Sequence, residues 1–302
     1  MNARYLTCDV FTDRMFGGNQ LAVFPDARGI APELMGPIAK EFNFSETTFV
    51  LPADDPSHTA KVRIFTPGGE LQFAGHPTVG TAHVLATIGA IPLTGDETRI
   101  IFEEGVGPVP VVIRAKAGKP EFAQLSVAQL PQVGAPPPSN EKLAAALSLS
   151  SDDVLSGDWA PQAISCGTEF LMIPLRSRDA VSRSRVKLDL FEDALYSYST
   201  SKVLVFAREA ELPGHDIRAR MFAPSIGVPE DPATGSACVG LSGYLAARDS
   251  RTDGTLRWVV EQGFEMGRPS ILEIEADKKN GAITAARVGG QTVMVCEGTF
   301  AL

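Results

Sequence analysis

The sequence lacks the features that mark several large classes of protein. Its four cysteines, Cys8, Cys166, Cys238 and Cys296, are scattered and form no Cys-x-x-Cys pair, which argues against a zinc site or a disulfide framework. It has no run of Lys or Arg, and its 27 basic residues are outnumbered by 36 acidic ones, so nucleic acid is not an expected partner. We expect reduced and mostly buried thiols.

Two further absences concern membranes and targeting. No segment approaches the roughly 18 consecutive apolar residues that a spanning helix needs. The first residues, MNARYLTCDV, do not show the charged region and hydrophobic stretch that are typical of a signal peptide. The expectation is a cytoplasmic protein with no membrane partner.

The chain is rich in short β-prone segments and has a substantial hydrophobic content. Its 302 residues are 44% hydrophobic, which is enough to bury the core of one large domain or two ordinary ones. Strands are predicted near 4–10, 20–25, 46–52, 59–66, 98–103, 109–114, 169–175, 202–208, 215–223, 257–261, 270–276, 282–288 and 291–299. Helices are predicted near 31–42, 77–90, 140–147, 187–198 and 234–248. The sequence therefore predicts an α+β fold.

Two short segments give more local information. Asn280-Gly281, between two late strands, predicts a type I′ turn. The Pro-rich stretch 136–140 is the best candidate for a linker region between domains. We expect an N-terminal domain over 1–120, which the last strand at about 291–302 rejoins, and a C-terminal domain over 121–290.

Two segments of the chain resemble each other. Residues 61–85 can be aligned with 218–241, allowing a two-residue gap, so that PTVGTA of the first copy meets PATGSA of the second. A weaker match places 46–50 ahead of the first copy as 167–171 lies ahead of the second. Agreement in order and spacing over more than twenty positions predicts an internal duplication. The helix of each copy is apolar or small nearly all round, as in a helix enclosed on every side.

A duplicated unit with one buried helix per copy has a chemical consequence. The two helix N-termini can face each other across a cleft, each presenting free N–H groups and a partial positive charge, which suits a small carboxylate. Each copy also has an ionisable residue directly before its proline, His76 and Asp231. The alternative is that Thr234-Gly235-Ser236 is only a helix cap.

Glu46 lies inside the hydrophobic, β-prone segment FNFSETTFVLP. Burial would raise its pKa towards the range that is useful for moving protons at neutral pH. The alternative is a glutamate on an edge strand that faces water.

The remaining motifs are weaker. His76 alone among the four histidines is framed by Gly and Pro, and no His, Asp and Glu set has metal-ligand spacing, so no metal is predicted. Ser236 lacks the Gly-x-Ser-x-Gly elbow of a hydrolase, and no nucleotide-binding glycine motif is present. Cys238 is interpreted as a packed thiol.

Four stretches together resemble the PhzF-like proteins, a family named for the isomerase of phenazine biosynthesis. They are DVFTDRMFGGNQLAVF (9–24), FNFSETTFVLP (42–52), GHPTVGTAHVL (75–85) and EDPATGSACVGL (230–241). The resemblance implies two similar domains related by a pseudo-twofold axis, each a mostly antiparallel, barrel-like sheet around a central helix, as in diaminopimelate epimerase. It also implies an active site between the domains, a homodimer and no cofactor.

The resemblance assigns roles to particular residues. Glu46 matches the family's proton-moving glutamate, and His76 and Asp231 match residues that support it. The implied substrate-binding residues are Ser236, Thr234, Gly235, Gly75 and Asn19. Two departures are visible: Gln20 replaces a proline, and His76 and Asp231 stand at junctions where diaminopimelate epimerase has two cysteines, so two-thiol racemisation is disfavoured.

The sequence thus predicts a cofactor-independent isomerase or epimerase. It would move a proton on a small substrate bearing a carboxylate, either amino-acid-like or dihydro-hydroxyanthranilate-like, with Glu46 as general acid and base. A non-catalytic protein that binds small anions on the same two-lobed fold is the alternative. A hydrolase using Ser236 is a third possibility.

Overall fold

The computed structural model describes residues 2–302, which form a mixed α+β fold. The chain divides into two compact units, the first made of residues 2–128 with 288–302 and the second of residues 129–287. The Pro-rich stretch 136–140 falls inside the second unit. Among the described residues, no helix has both the length and the apolar character needed to cross a bilayer.

The elements follow one another along the chain in this order. The first unit begins with β1 (Asn2–Val10), β2 (Asn19–Phe24), α1 (Pro32–Phe42), β3 (Glu46–Leu51), β4 (Ala60–Thr66), β5 (Gly69–Leu71), α2 (Gly75–Thr87), β6 (Glu97–Glu104), β7 (Gly107–Lys116) and β8 (Lys119–Ser126). The second contains β9 (Gln132–Val133), α3 (Asn140–Ala146), β10 (Gln162–Ser165), β11 (Glu169–Pro174), α4 (Arg178–Arg183), α5 (Leu188–Leu195), β12 (Val203–Ala207), β13 (Ile217–Ala223), β14 (Val228–Asp231), α6 (Gly235–Ala246), β15 (Gly254–Gln262) and β16 (Ser270–Lys279). The chain ends with β17 (Ala282–Gly290), which crosses the boundary between the units, and β18 (Thr292–Ala301).

Most strand pairs of the first unit are antiparallel, with two parallel exceptions. β1 pairs with β2 and β18, and β3–β4, β4–β5, β6–β7 and β7–β8 are antiparallel hairpin neighbours. β2 lies parallel to β3, and β4 lies parallel to β6. A parallel pair needs a crossover, and α1 and α2 provide the two crossovers.

Helix α2 is the centre of the first unit. Every residue from Gly75 to Ala86 is buried, and the helix contacts β1, β2, β3, β7, β8 and β18. Gly80 allows this close approach, because a Cβ there would lie 2.6 Å from side-chain atoms of Leu21 and Val10. The sequence prediction of an enclosed helix is confirmed, with the helix beginning at Gly75 rather than at residue 77.

The second unit repeats this succession of elements. β11 lies parallel to β12 across a helical crossover, β12–β13 and β13–β14 are antiparallel, and β13 lies parallel to β15. Helix α6 is buried apart from Ser236, and its Gly240 packs against Met172 and Ile164. The recurrence supports the predicted duplication, while a pseudo-twofold axis between the copies stays a prediction.

Two details of the sequence alignment are wrong. The strand before β13 is β12, so the counterpart of β3 is 203–207, and 169–174 corresponds to β2 instead. Counted from the helix starts, His76 is the second residue of α2 and corresponds to Ser236, whereas Asp231 ends β14. The sequence alignment matched Pro77 with Pro232, but these prolines occupy different positions. Pro77 lies within the first turn of α2, where proline is tolerated, whereas Pro232 precedes α6.

The Asn280-Gly281 turn is confirmed. It joins β16 to β17, and both turn residues have positive φ, 51° and 81°, as a type I′ turn requires.

Candidate active site

Glu46 is the first residue of β3, where that strand begins its parallel pairing with β2 opposite Leu21. Its side chain is only 15% exposed. The alternative of a water-facing glutamate on an edge strand is therefore wrong. The carboxyl group lies at the end of the first unit where β2, β3 and α2 all begin.

His76 meets Glu46 at this point. Its Nε2 lies 3.3 Å from Glu46 Oε2, and the imidazole is buried. Burial lowers the pKa of His76 to about 3, opposed by a hydrogen bond to the backbone of Gln20. The ring is therefore neutral at physiological pH.

The partners of the imidazole fix which nitrogen carries its proton. Nε2 has no hydrogen-bond partner within the described residues, so the bond to Gln20 involves Nδ1. A backbone carbonyl only accepts, hence Nδ1 donates and Nε2 presents its lone pair to Glu46. The ring nitrogen nearest Glu46 Oε2 is thus the unprotonated one.

The role of Gln20 also explains its departure from the family pattern. It contacts His76 through its backbone carbonyl, a group that proline has as well. Its neighbour Asn19 begins β2, pairs with Val10 and is almost fully buried. The preceding loop is held by Asp9, whose carboxylate accepts a hydrogen bond of 2.7 Å from the Phe16 N–H. Substrate binding by Asn19 stays a prediction.

The buried histidines of α2 predict acid lability. His83 lies within the same helix, and burial lowers its pKa to about 4. A histidine whose pKa is lower in the folded than in the unfolded protein contributes to stability above its unfolded pKa of about 6.5. This contribution to the free energy of unfolding is lost as the pH falls towards the folded pKa. His83→Gln should therefore reduce the fall in the free energy of unfolding between pH 6.5 and 4 by about 1.4 kcal/mol per pH unit relative to the wild type.

Urea denaturation at half-unit pH steps measures this difference. Above pH 7 the difference in the free energy of unfolding between the variant and the wild type should be constant, which serves as the internal control. A gap that does not change below pH 6.5 would contradict a buried, neutral His83.

In the second unit, Asp231 is held by a network of its own. The Thr234 hydroxyl donates to Asp231 Oδ2 at 2.5 Å, and Gln262 Nε2 donates to the Asp231 carbonyl at 2.8 Å and to Thr234 Oγ1 at 3.0 Å. Gln262 Oε1 accepts the Thr234 N–H. The carboxylate therefore has a fixed position at the end of β14.

The starts of the two central helices lack side-chain caps. Thr234 occupies the N-cap position of α6, as the cap interpretation has it, but its side chain makes no capping hydrogen bond and its hydroxyl donates to Asp231 instead. Ala74 occupies the same position before α2. Gly235 and the half-buried Ser236 form the first turn of α6, and Gly75 begins α2. Their predicted carboxylate-binding roles stay predictions.

Cysteine and metal chemistry find little support in the described residues. All four cysteines are free; Cys238 is fully buried, and burial raises its pKa, in agreement with a packed thiol. Within residues 2–302, no cluster of three or more His, Cys, Asp or Glu side chains could hold a metal ion. His58 and His215 each pair with a strand glutamate, Glu103 and Glu261.

The structure also reveals residues that sequence reasoning missed. Glu104 ends β6 and contacts Thr78 in the first turns of α2, and Gln262 ends β15 beside Thr234. Neither side chain belongs to a motif. The only available signal was the position of each residue at the end of a predicted strand in a duplicated chain.

Comparisons with known proteins agree over nearly the whole chain. A family model described as phenazine biosynthesis-like protein (PhzC-PhzF) matches residues 8–298. An uncharacterized isomerase of Mesorhizobium japonicum is 36% identical over 299 residues, 97% of each chain. The trans-2,3-dihydro-3-hydroxyanthranilate isomerase of Pseudomonas aeruginosa is 34% identical over 297 residues, 98% of each chain.

A solved structure gives the same result. The Bacillus anthracis phenazine biosynthesis protein of the PhzF family superposes with a TM-score of 0.89 over 100% of both chains, at 25% identity. The whole-chain family match, the named isomerases among the relatives and this superposition agree with one another. The chain belongs to the phenazine biosynthesis-like PhzC-PhzF family and is an isomerase.

Proposed function

We propose that this isomerase moves a proton on a small carboxylate-bearing substrate without a cofactor, with Glu46 as the general acid and base. The observation that carries the proposal is the contact between the mostly buried Glu46 carboxyl and the neutral His76 imidazole. A general base needs a nearby group that adjusts its protonation, and the Nε2 lone pair of His76 is suited to that task.

The proton transfer can be written as two balanced steps. In the first, the Glu46 carboxylate removes a proton from a substrate carbon, and the electron pair of the broken C–H bond enters the conjugated system. In the second, the protonated Glu46 returns that proton to another carbon, and the double bonds shift. The enzyme ends as it began, so no oxidant or reductant is consumed.

His76 would act by setting the state of Glu46 before the reaction. When Nε2 takes the proton from Oε2, the imidazolium is stabilised by the Gln20 carbonyl and the new Glu46 carboxylate. Burial opposes this ion pair, so the carboxylate forms only at some cost and is correspondingly basic. Such a base can deprotonate a weaker carbon acid than an exposed glutamate can.

The relatives support the proposed substrate class. The Pseudomonas aeruginosa isomerase is named for trans-2,3-dihydro-3-hydroxyanthranilate, which makes that compound the first probe for this chain. We propose that Asp231 orients a substrate amine or hydroxyl, and that the first turns of α2 and α6 bind its carboxylate. The position of this site in a cleft between domains and a homodimeric assembly stay predictions.

Turnover in deuterated water tests the proposal. The chain is incubated with trans-2,3-dihydro-3-hydroxyanthranilate in ²H₂O, and the product is examined by ¹H NMR. We expect a shifted double bond, with either solvent deuterium or the transferred substrate hydrogen at the new C–H position. Formation of the same product at the wild-type rate by Glu46→Gln would contradict proton transfer by Glu46. If the probe is not turned over, the proposed anthranilate-like substrate is wrong.

A further inference from the structure

Glu104 and Thr78 make a contact that determines the protonation of Glu104. The Thr78 hydroxyl lies 2.6 Å from Glu104 Oε1 and 2.7 Å from the carbonyl oxygen of Ala74. A hydroxyl has one proton to donate, and a backbone carbonyl can only accept. Both contacts are hydrogen bonds only if Thr78 donates to Ala74 and Glu104 donates to Thr78. Two separate hydrogen bonds at these distances thus require a proton on Glu104.

The burial of Glu104 is consistent with a neutral side chain. The residue is 8% exposed, and its Oε2 is buried with no hydrogen-bond partner among residues 2–302. A buried carbonyl oxygen without a partner costs far less than a buried, unpaired carboxylate. Burial raises the pKa of Glu104 to about 8.

The charged groups around Glu104 do not favour its ionised form. Glu104 lines an open cavity of about 910 Å³, and each basic side chain in its wall is already paired. These pairs are Lys61 with Asp54, Arg63 with Glu70, and His58 with Glu103; Asp55 is the remaining charge of the wall, and α2 adds the neutral His76 and His83. No cation of the described residues lies within salt-bridge distance of Glu104.

The second unit has a side chain at the equivalent position that cannot ionise. Gln262 ends β15 as Glu104 ends β6, and it contacts Cys238, the fourth residue of α6, as Glu104 contacts Thr78, the fourth residue of α2. The Gln262 amide donates to Thr234 and to the Asp231 carbonyl at every pH. In the contact with α6, Gln262 Oε1 accepts from Cys238 Sγ. The strand-end side chain thus contacts the fourth helix residue in both units, and only that of the first unit can be deprotonated.

We propose that Glu104 is a positioning residue that holds His76 in place only while it is protonated. When Glu104 ionises, the single proton of Thr78 turns to the carboxylate, and the 2.7 Å contact with the Ala74 carbonyl becomes an unbonded contact between two oxygens that must open. Ala74 is the N-cap residue of α2, and His76 follows two residues later. The first turn of α2 shifts, and His76 loses its place beside Glu46. This inference rests on the proposed function of His76.

The alkaline limb of activity tests the effect on His76. With trans-2,3-dihydro-3-hydroxyanthranilate as the probe, kcat/KM is measured from pH 6 to 10 for the wild type, Glu104→Gln and the control Glu97→Gln, an exposed acid of the same strand. The wild type and the control should lose activity above pH 8. The ratio of Glu104→Gln to wild type should rise by up to about tenfold per pH unit there, because glutamine donates to Thr78 at every pH. Equal alkaline limbs in all three proteins would overturn the proposal.

Two measurements need no turnover and so separate this inference from the proposed function. Infrared difference spectra at pH 7 should show a protonated carboxyl band in the wild type that Glu104→Gln lacks and that disappears above pH 9; the absence of this band would overturn the proposal.

Thermal unfolding gives the second measurement. An acid whose pKa is higher in the folded than in the unfolded protein stabilises the fold at low pH. This contribution to the free energy of unfolding is lost as the pH rises from the unfolded pKa to the folded pKa. The difference in Tm, Glu104→Gln minus wild type, should therefore increase between about pH 4.5 and 8 and stay constant at higher pH. A difference in Tm that does not change with pH would overturn the proposal.

A second pair of variants covers failure of Glu104→Gln to fold. Thr78→Ser keeps the hydroxyl group and should keep the alkaline limb of the wild-type pH profile. Thr78→Val removes the hydroxyl that accepts from Glu104, so the alkaline limb should shift to a different pH. An unchanged limb in Thr78→Val would overturn the proposal.

Discussion

Replacing Glu46 with glutamine should lower kcat by about 10³-fold, within the range typical of general acid and base residues. Glutamine has the shape of glutamate and can still donate to His76 Nε2, so the first unit should fold as before. It cannot take a proton from carbon. Steady-state kinetics with trans-2,3-dihydro-3-hydroxyanthranilate measures the loss.

Glu41→Gln is the matched control. Glu41 lies on α1, exposed to solvent and five residues before Glu46, so its neutralisation should leave kcat within about twofold of the wild type. A Glu46→Gln protein that is folded and retains more than a tenth of the wild-type kcat would mean that another group moves the proton.

Replacing His76 with asparagine should lower kcat/KM by about 10²-fold. The asparagine amide can still donate to the Gln20 carbonyl, but it offers no basic nitrogen to Glu46 Oε2. Glu46 then keeps its own proton for more of the time and is less often available as a base. His58→Asn is the control, because it removes an imidazole bonded to Glu103 in the same unit without touching Glu46.

The pH profile of the wild type separates two roles for His76. Because burial lowers its pKa to about 3, ionisation of the free imidazole should add no limb near pH 6.5. A wild-type limb near pH 6.5 that disappears in His76→Asn would show that the imidazolium is the resting form, contrary to the arrangement described above.

The central helices were predictable because their composition is unusual. Segments 77–90 and 232–247 are small or apolar nearly all round, and such helices are expected to be enclosed. The starts were harder to place, since Pro77 suggests a helix beginning at 77. The first turn of a helix tolerates proline, so α2 takes in Gly75 and His76 before it.

Other features required tertiary pairing that no local pattern encodes. The strand Lys119–Ser126 contains several polar residues and Pro120, and its pairing with β7 holds it as a strand. The contact of Glu46 with His76 depends on the parallel register of β2 and β3. Family resemblance named both residues, but it could not supply the bond from His76 to the Gln20 carbonyl.

Glu104 shows the limit of sequence reasoning most clearly. Its proposed role depends on the contacts that the Thr78 hydroxyl makes with both the Ala74 carbonyl and Glu104, a residue 26 positions further along the chain. A glutamate at a strand end is commonly exposed, and nothing in its neighbourhood of the sequence predicts burial.

Isotope exchange at the substrate tests the role of Glu46 most directly. Wild type and Glu46→Gln are each saturated with trans-2,3-dihydro-3-hydroxyanthranilate in ²H₂O, with binding verified by thermal shift, and the labelling of the reacting carbons is followed by NMR. We predict that the wild type moves hydrogen at these carbons, by exchange with solvent or by transfer within the molecule, while the substrate-bound Glu46→Gln protein does neither. Hydrogen movement at the wild-type rate in Glu46→Gln would contradict the assignment of the proton transfer to Glu46.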